Sequence, residues 1–306
     1  MKCLVVGANG FVGRAAASAL RGEGHEVARV VGSSGAPADG LTRVYADGIY
    51  REMAAEIGTT DLVVYAAGRS LPRGTLSLEE AIRADCKPFE DLLEVVATSL
   101  HPATVLLVSS AGAVYGETPS GARLAEDAPL MPVSTYGVTR LRMEQRLQSC
   151  ARRSRMNGVV FRVSNLYGPG QAAGRGSGFI LNVLQAALRG KPFTLMGTGR
   201  QQKDFLYIDD LAQAIRCVPG LMAREAPRER VYNVCAGASY SLLEVLDTIE
   251  QVIGSKVPLI HVESHAEDVQ HVQLSNARAA AELGWQSRVT LREGIARTWK
   301  WVNESA

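Results

Sequence analysis

Tyr136 and Arg140 stand four residues apart at the start of a stretch of helical composition, so their side chains leave the same face of one helix. A tyrosine with an ordinary pKa of about 10 exchanges protons near neutral pH only if something favours its phenolate, and a fixed cation one turn away does so. A second group of residues offers different chemistry. Gly7-Ala8-Asn9-Gly10-Phe11-Val12-Gly13 follows the apolar run Lys2–Val6 and opens the Ala- and Leu-rich stretch Phe11–Arg21. Glycines so spaced let a chain turn tightly and approach a pyrophosphate, while the helix behind them presents unpaired N–H groups and the positive end of its dipole. Strand, turn and helix in this order point to a dinucleotide held by Gly7, Asn9, Gly10, Phe11, Val12 and Gly13.

Such groups need a rigid frame. Apolar runs of strand length recur at Glu26–Val31, Asp61–Tyr65, Thr104–Val108 and Val159–Val163, separated by helical segments such as Leu78–Leu100 and Tyr136–Arg153. Strands apolar on both faces and alternating with helices predict an α/β fold, a parallel sheet covered on both sides. The Gly-rich Tyr167–Gly178 reads as a loop between two parts of the chain; beyond it Phe179–Arg189 reads as a helix, and Ser241 with Glu244 forms a capping box. At roughly 150 residues per domain, 306 residues suit one large α/β unit or a principal domain with a smaller partner.

Composition excludes several classes. With 33 Lys+Arg against 31 Asp+Glu the formal charge is +2, which gives no electrostatic case for nucleic acid or an anionic membrane as partner. No run approaches the roughly 18 apolar residues of a spanning helix, and Gly7, Asn9 and Gly10 interrupt the apolar N-terminus before it could serve as a secretory segment, so a cytoplasmic protein is expected. Cys3, Cys86, Cys150, Cys217 and Cys235 are widely spaced and form no CxxC pair, which predicts buried free thiols and neither a disulfide framework nor a metal site. The second strand ends without the acidic residue that would hold an adenosine ribose diol and repel a 2′-phosphate. Val31, Gly32, Ser33 and Ser34 stand there instead, so NADP is permitted beside NAD and slightly favoured, with Ser33, Ser34 and Arg43 as phosphate donors. The alternative is that this loop makes no ribose contact.

Further motifs follow in a fixed order: Asp47-Gly48 after the third strand, Tyr65-Ala66-Ala67-Gly68 after the fourth, SSAGAVYG from Ser109, Tyr136-Gly-Val-Thr-Arg140 and FRVSNLYGPG from Phe161. KDFLYIDD from Lys203, VYNVCAG from Val231 and AAELGW from Ala280 complete the set. The ordered set covers essentially the whole chain and resembles the extended short-chain dehydrogenase/reductases, in particular the nucleotide-sugar epimerase/dehydratase group. The resemblance implies a Rossmann-type doubly wound parallel sheet with a smaller C-terminal α/β domain. The expected division is a dinucleotide-binding part at 1–165, joined by 205–235, and a substrate part at 166–204 and 236–306. The resemblance also assigns Asp47 and Gly48 to the adenine, Ala66, Ala67 and Gly68 to the cofactor's ribose and phosphates, and Asn165 to the substrate. A homodimer is implied, paired through Leu78–Leu100 and Tyr136–Arg153.

Four positions depart from the pattern. Arg140 replaces the lysine that in the family also holds the nicotinamide ribose; the charge is kept, but on a larger planar fork. Ala111 stands where a Ser or Thr usually hydrogen-bonds the reacting oxygen, leaving Ser110 as the nearest hydroxyl. On the substrate side Lys203 and His265 replace expected arginines, the latter three residues before Asp268. The resemblance implies an NAD(P)-dependent 4-epimerase acting on a nucleoside-diphosphate sugar through a transient 4-keto sugar, with Tyr136 as the acid/base, in supply of a cell-surface polysaccharide precursor. Two alternatives stand beside it: an NADPH-dependent ketosugar reductase, and a dinucleotide-binding sensor or scaffold if Ala111 and Arg140 disable catalysis. Without an acid after the second strand, calorimetric titration should show comparable affinity for NADP and NAD; a strong preference for NAD would mean that another group reads the ribose.

Overall fold

The computed structural model describes residues 1–32, 42–72, 74–117, 123–172, 178–222, 228–263 and 271–305. Seven strands form the main sheet: β1 (Lys2–Val6), β2 (Glu26–Val31), β3 (Thr42–Val44), β4 (Leu62–Tyr65), β5 (Thr104–Ser110), β6 (Asn157–Val163) and, far along the chain, β10 (Glu229–Val234). Their spatial order is β10-β6-β5-β4-β1-β2-β3, and every pairing is parallel. The chain winds outward from β1 in one direction, then returns to β4 and winds the other way. The crevice between the C-terminal ends of β1 and β4 is therefore the topological switch point, where doubly wound sheets bind ligands.

The four central strands are buried on both faces because helices cover both. Residues alternate between two cores. Cys3 and Val5 face one that includes Ala16 and Leu20 of the helix Phe11–Gly22 and Leu211 and Ile215 of Ile208–Met222. Leu4 and Val6 face the other, with Leu92 of the helix Lys87–Thr98 and Met143 and Leu147 of Thr135–Arg153.

The stretch expected as one helix over Leu78–Leu100 has three parts: Leu78–Ala81, a π-helical turn at Ile82–Cys86, and Lys87–Thr98. Pro88 explains the wide turn, since it has no N–H to donate and its ring would meet the carbonyl of Ala84 in a regular α-helix. The extra residue turns Asp85 inward, and Asp85 is buried.

The remaining strands lie outside the main sheet. β7 (Asn165–Tyr167), β9 (Gln202–Tyr207) and β11 (Ser239–Ser241) form a mixed sheet in the order β11-β9-β7, and β8 (Phe193–Met196) pairs with β12 (Leu259–Val262). Buried carboxylates tie these segments down. Both oxygens of Asp204 on β9 accept backbone N–H groups, from Ala236 at 2.9 Å and Gly237 at 2.8 Å. Burial pushes the Asp204 carboxyl above its usual range, with those amide donors opposing the shift. Asp210 likewise accepts from the backbone of Arg288 and Val289 and from the Ser287 hydroxyl, anchoring the approach to the last helix, Leu291–Glu304. No helix among the described residues is long and apolar enough to cross a membrane.

Candidate active site at the sheet switch point

The glycine turn lies at the end of β1, where its backbone nearly touches the end of β4. Gly7 has φ +82°, and a Cβ there would sit 2.8 Å from the Cα and N of Ala67; a Cβ on Gly13 would sit 2.0 Å from the carbonyl oxygen of Gly7. Side chains at either position would push strand, turn and helix apart. Ala66 is held in place by its own N–H, donated to the carbonyl of Val6 at 2.9 Å. Gly10 caps the helix Phe11–Gly22 without a side-chain hydrogen bond, so no side chain satisfies the N–H groups of the first turn around Phe11, Val12 and Gly13 from that position. Asn9 accepts the Gly32 N–H at 3.5 Å through its side chain, while Arg14 donates to the carbonyls of Asn9 and Gly170. At the edge strand, Asp47 accepts the Tyr45 hydroxyl at 3.4 Å and Gly48, at φ +83°, caps Ile49–Glu52. Arg43, offered above as a phosphate donor, lies 3.8 Å from Glu56. Ser33, Ser34, His265 and Asp268 lie outside the described residues.

Tyr136 and Arg140 occupy the first turns of Thr135–Arg153. That helix starts at Ser134, whose hydroxyl accepts the Gly137 N–H at 3.1 Å. A Cβ on Gly137 would fall 2.3 Å from the carbonyl of Ala113, so the glycine lets the helix press against the turn Ala111–Tyr115. The guanidinium carbon of Arg140 lies 5.0 Å from the centroid of the half-buried Tyr136 ring. Arg140 is 6% exposed and stands 3.9 Å from Asp85. Burial disfavours its charge, but Tyr136, Asp85 and Tyr65 outweigh that, and the guanidinium is held above its ordinary range. Its Nε is buried with no hydrogen-bond partner among the described residues.

Ser110 ends β5, half-buried, with no capping hydrogen bond, and Ala111 beside it is fully buried. Its neighbour Ser109 belongs to a different construction. The Ser109 hydroxyl donates at 2.5 Å to Glu144, one helical turn beyond Arg140, and Glu144 also accepts the Nε and Nη2 of Arg162 at 3.0 and 2.9 Å. Arg162 donates onward to the hydroxyl of Tyr115, which donates at 2.8 Å to Asn233 on β10. Burial raises the Tyr115 pKa, against the pull of Arg162. Nothing in the local sequence marks this network, because its members come from five separate segments.

The two described candidates for the substrate side share the small mixed sheet. Asn165 on β7 is exposed and donates its amide to the carbonyl of Asp204 at 2.9 Å, and Lys203 precedes that residue on β9. The structure therefore gathers the glycine turn with Ala66 and Ala67, and Gly68 with Arg140 and Tyr136, whereas Asn165 and Lys203 form a separate pair. A cavity of about 580 Å³ beside Arg69, Leu76, Glu80 and Arg83 contains neither Tyr136 nor the glycine turn in its wall. Among the described residues no group of three His, Cys, Asp or Glu side chains could hold a metal.

A doubly wound sheet with a glycine turn at its switch point and a Tyr136/Arg140 pair on the adjoining helix defines a Rossmann-type short-chain dehydrogenase/reductase. The profile of the NAD dependent epimerase/dehydratase family matches residues 3–235, and the chain belongs to that family. The UDP-glucose 4-epimerase of Mycolicibacterium smegmatis is 29% identical over 97% of this chain and 97% of its own. The dTDP-4-dehydro-6-deoxyglucose reductase of Escherichia coli is 30% identical over 62% of this chain, which spans 58% of that protein's length. The solved structure of MoeE5 in complex with UDP-glucuronic acid and NAD has a TM-score of 0.89 at 26% identity and covers 100% of both chains.

Replacing Glu144 alone would strand the Arg162 charge in the interior. Glu144→Ala should lower stability by about 3–5 kcal/mol in a urea titration. A loss below about 1 kcal/mol, the worth of an exposed pair, would show that the network does not support the helix Thr135–Arg153.

Proposed function

We propose that the chain is a nucleotide-sugar 4-epimerase that uses NAD or NADP, with Tyr136 as its acid/base. The observation that carries this reading is the buried guanidinium of Arg140, 5.0 Å from the half-buried Tyr136 ring, beside Gly68 at the end of β4. The M. smegmatis relative, matched along almost its full length, supports the choice of reaction. The residues fit a dinucleotide in two respects: Gly10 at the N-cap offers no side chain to the N–H groups of the first helical turn, and among the described residues the buried Arg140 Nε has no acceptor, a place a ribose hydroxyl would fill. Gly7 to Gly13 would hold the pyrophosphate, Ala66, Ala67 and Gly68 the adjoining ribose, and Asp47 with Gly48 the adenine. When bound, the nicotinamide supplies a reversible acceptor for hydride.

The chain's own residues then have a short sequence of tasks. Tyr136, as phenolate, takes the proton of the hydroxyl at carbon 4 of the sugar as the C–H bond at that carbon breaks and a ketone forms. Arg140 stabilises the negative charge on the phenolic oxygen before that transfer and is left beside a neutral phenol after it. Asn165 and Lys203 hold the phosphates and sugar, letting the ketone turn its other face. Tyr136 finally returns the proton to the oxygen as hydrogen rejoins carbon 4. Ala111 contributes no hydrogen bond to the reacting oxygen; losing one such bond costs about 10²–10³ in rate, so slow turnover is expected unless Ser110 substitutes.

A one-way reduction of a 4-keto sugar is the second reading. It is favoured by the absence of an acid at Val31 and Gly32 and by the likeness to the E. coli reductase. We also propose the division into a dinucleotide part, 1–165 with 205–235, and a substrate part, 166–204 with 236–306; the pairing of β10 with β6 supports it. A homodimer paired through Leu78–Leu100 and Tyr136–Arg153 and a cytoplasmic location belong to the same reading. Tyr136→Phe should cut turnover of a UDP- or dTDP-hexose by about 10²–10⁴ while NAD affinity holds, because the ring's packing is kept. Undiminished turnover in that variant would remove Tyr136 from the chemistry, and an inert parent that still binds NAD would favour a sensor.

A further inference from the structure

Arg140 reaches its place through two residues on other elements. Asp85, on the π-helical turn, is the carboxylate that faces its guanidinium, with side-chain exposures of 0% and 7%. The rest of that carboxylate is occupied by the chain leaving β4. It accepts the Arg69 N–H at 2.6 Å and the Ser70 N–H at 3.2 Å, as well as the Ser70 hydroxyl. The same hydrogen bonds fix the position of Gly68, the residue just before Arg69.

Gly68 has a φ that any residue can adopt, since it is not among the glycines of positive φ. Its need for glycine is one of room. A Cβ there would lie 2.1 Å from the Nη2 of Arg140 and 3.3 Å from its Cζ. The obstructed atom is the end of a side chain rather than backbone, so an alanine at 68 would leave the fold standing and displace the guanidinium. That displacement would act on the Tyr136 ring and on the unpartnered Nε together.

We propose that Asp85 and Gly68 are positioning residues for Arg140, Asp85 by anchoring its charge and Gly68 by leaving the space its guanidinium fills. Arginine serves beside Tyr136 in this chain because these two residues accompany it. A lysine ammonium, without the planar fork, does not need the space at 68. The inference rests on the reading of Tyr136 and Arg140 given above.

A double-mutant cycle of Gly68→Ala with Arg140→Lys tests it, read by NAD titration, thermal unfolding and turnover of a UDP-hexose, with Asp85→Asn measured alongside. In the parent background Gly68→Ala should keep a cooperative unfolding transition, weaken NAD binding about tenfold, and lower kcat roughly 10- to 100-fold with KM for the sugar nucleotide unchanged. In the Arg140→Lys background the same substitution should cost at least tenfold less in kcat than it does in the parent. Asp85→Asn should reproduce the loss in kcat and NAD affinity in the parent background. Equal penalties from Gly68→Ala in both backgrounds, or none in the first, would overturn the proposal. An inert parent would overturn the epimerase and reductase readings instead, and the NAD arm of the cycle would still decide the positioning claim.

Discussion

Taking a guanidinium out of water costs several kcal/mol unless a counter-charge and hydrogen bonds meet it inside the protein. Arg140 imposes that demand at the C-terminal end of the parallel strands, and the surrounding structure answers it. Asp85 supplies the charge, the Tyr136 ring supplies a polarisable face, and the chain leaving β4 is tied to the same carboxylate. The π-helical turn that brings Asp85 inward exists because Pro88 interrupts the regular ladder. A kink in one helix thereby sets the charge balance on the next.

One turn beyond Arg140 the same helix is held by a second buried ion pair. Tyr136, Arg140 and Glu144 follow one another at intervals of four, so one face of Thr135–Arg153 carries phenol, cation and anion in turn. Glu144 joins Ser109 at the end of β5 to Arg162 on β6, and Arg162 reaches Tyr115 and through it Asn233 on β10. Asn233 then donates to the carbonyls of Leu124 and Ser275, and its own N–H meets Glu126 at 2.8 Å. The helix that carries the Tyr136/Arg140 pair is thus fixed to three strands of the main sheet and to two loops beyond it.

Much of the frame was legible in the residues. β2 spans Glu26–Val31 as its apolar run predicts, and the strand-turn-helix reading of residues 2–21 holds because glycine spacing and helix composition are both local signals. Ser241 and Glu244 form the expected capping box, another local signal. Asp85 was not legible: it lies in a helical run with no partner in sequence, and its role arises from a fold that sets it against residue 140. The single helix expected over Leu78–Leu100 failed at the π-turn, although Pro88 was its available clue. Ser109 and Ser110 differ in fate because successive strand residues face opposite ways; only the fold shows that Glu144 waits on the side of Ser109.

The central claim is that Tyr136 and Arg140 serve a reaction in which carbon 4 of a nucleotide sugar loses hydrogen and regains it on the other face. The most direct measurement follows deuterium placed at that carbon in a panel of UDP- and dTDP-hexoses incubated with the NAD-loaded protein. The account predicts sugars inverted at carbon 4 that keep the label on that carbon, with no net change in NADH. Loss of the label with accumulation of a 4-keto sugar, or recovery of every sugar uninverted, would contradict it.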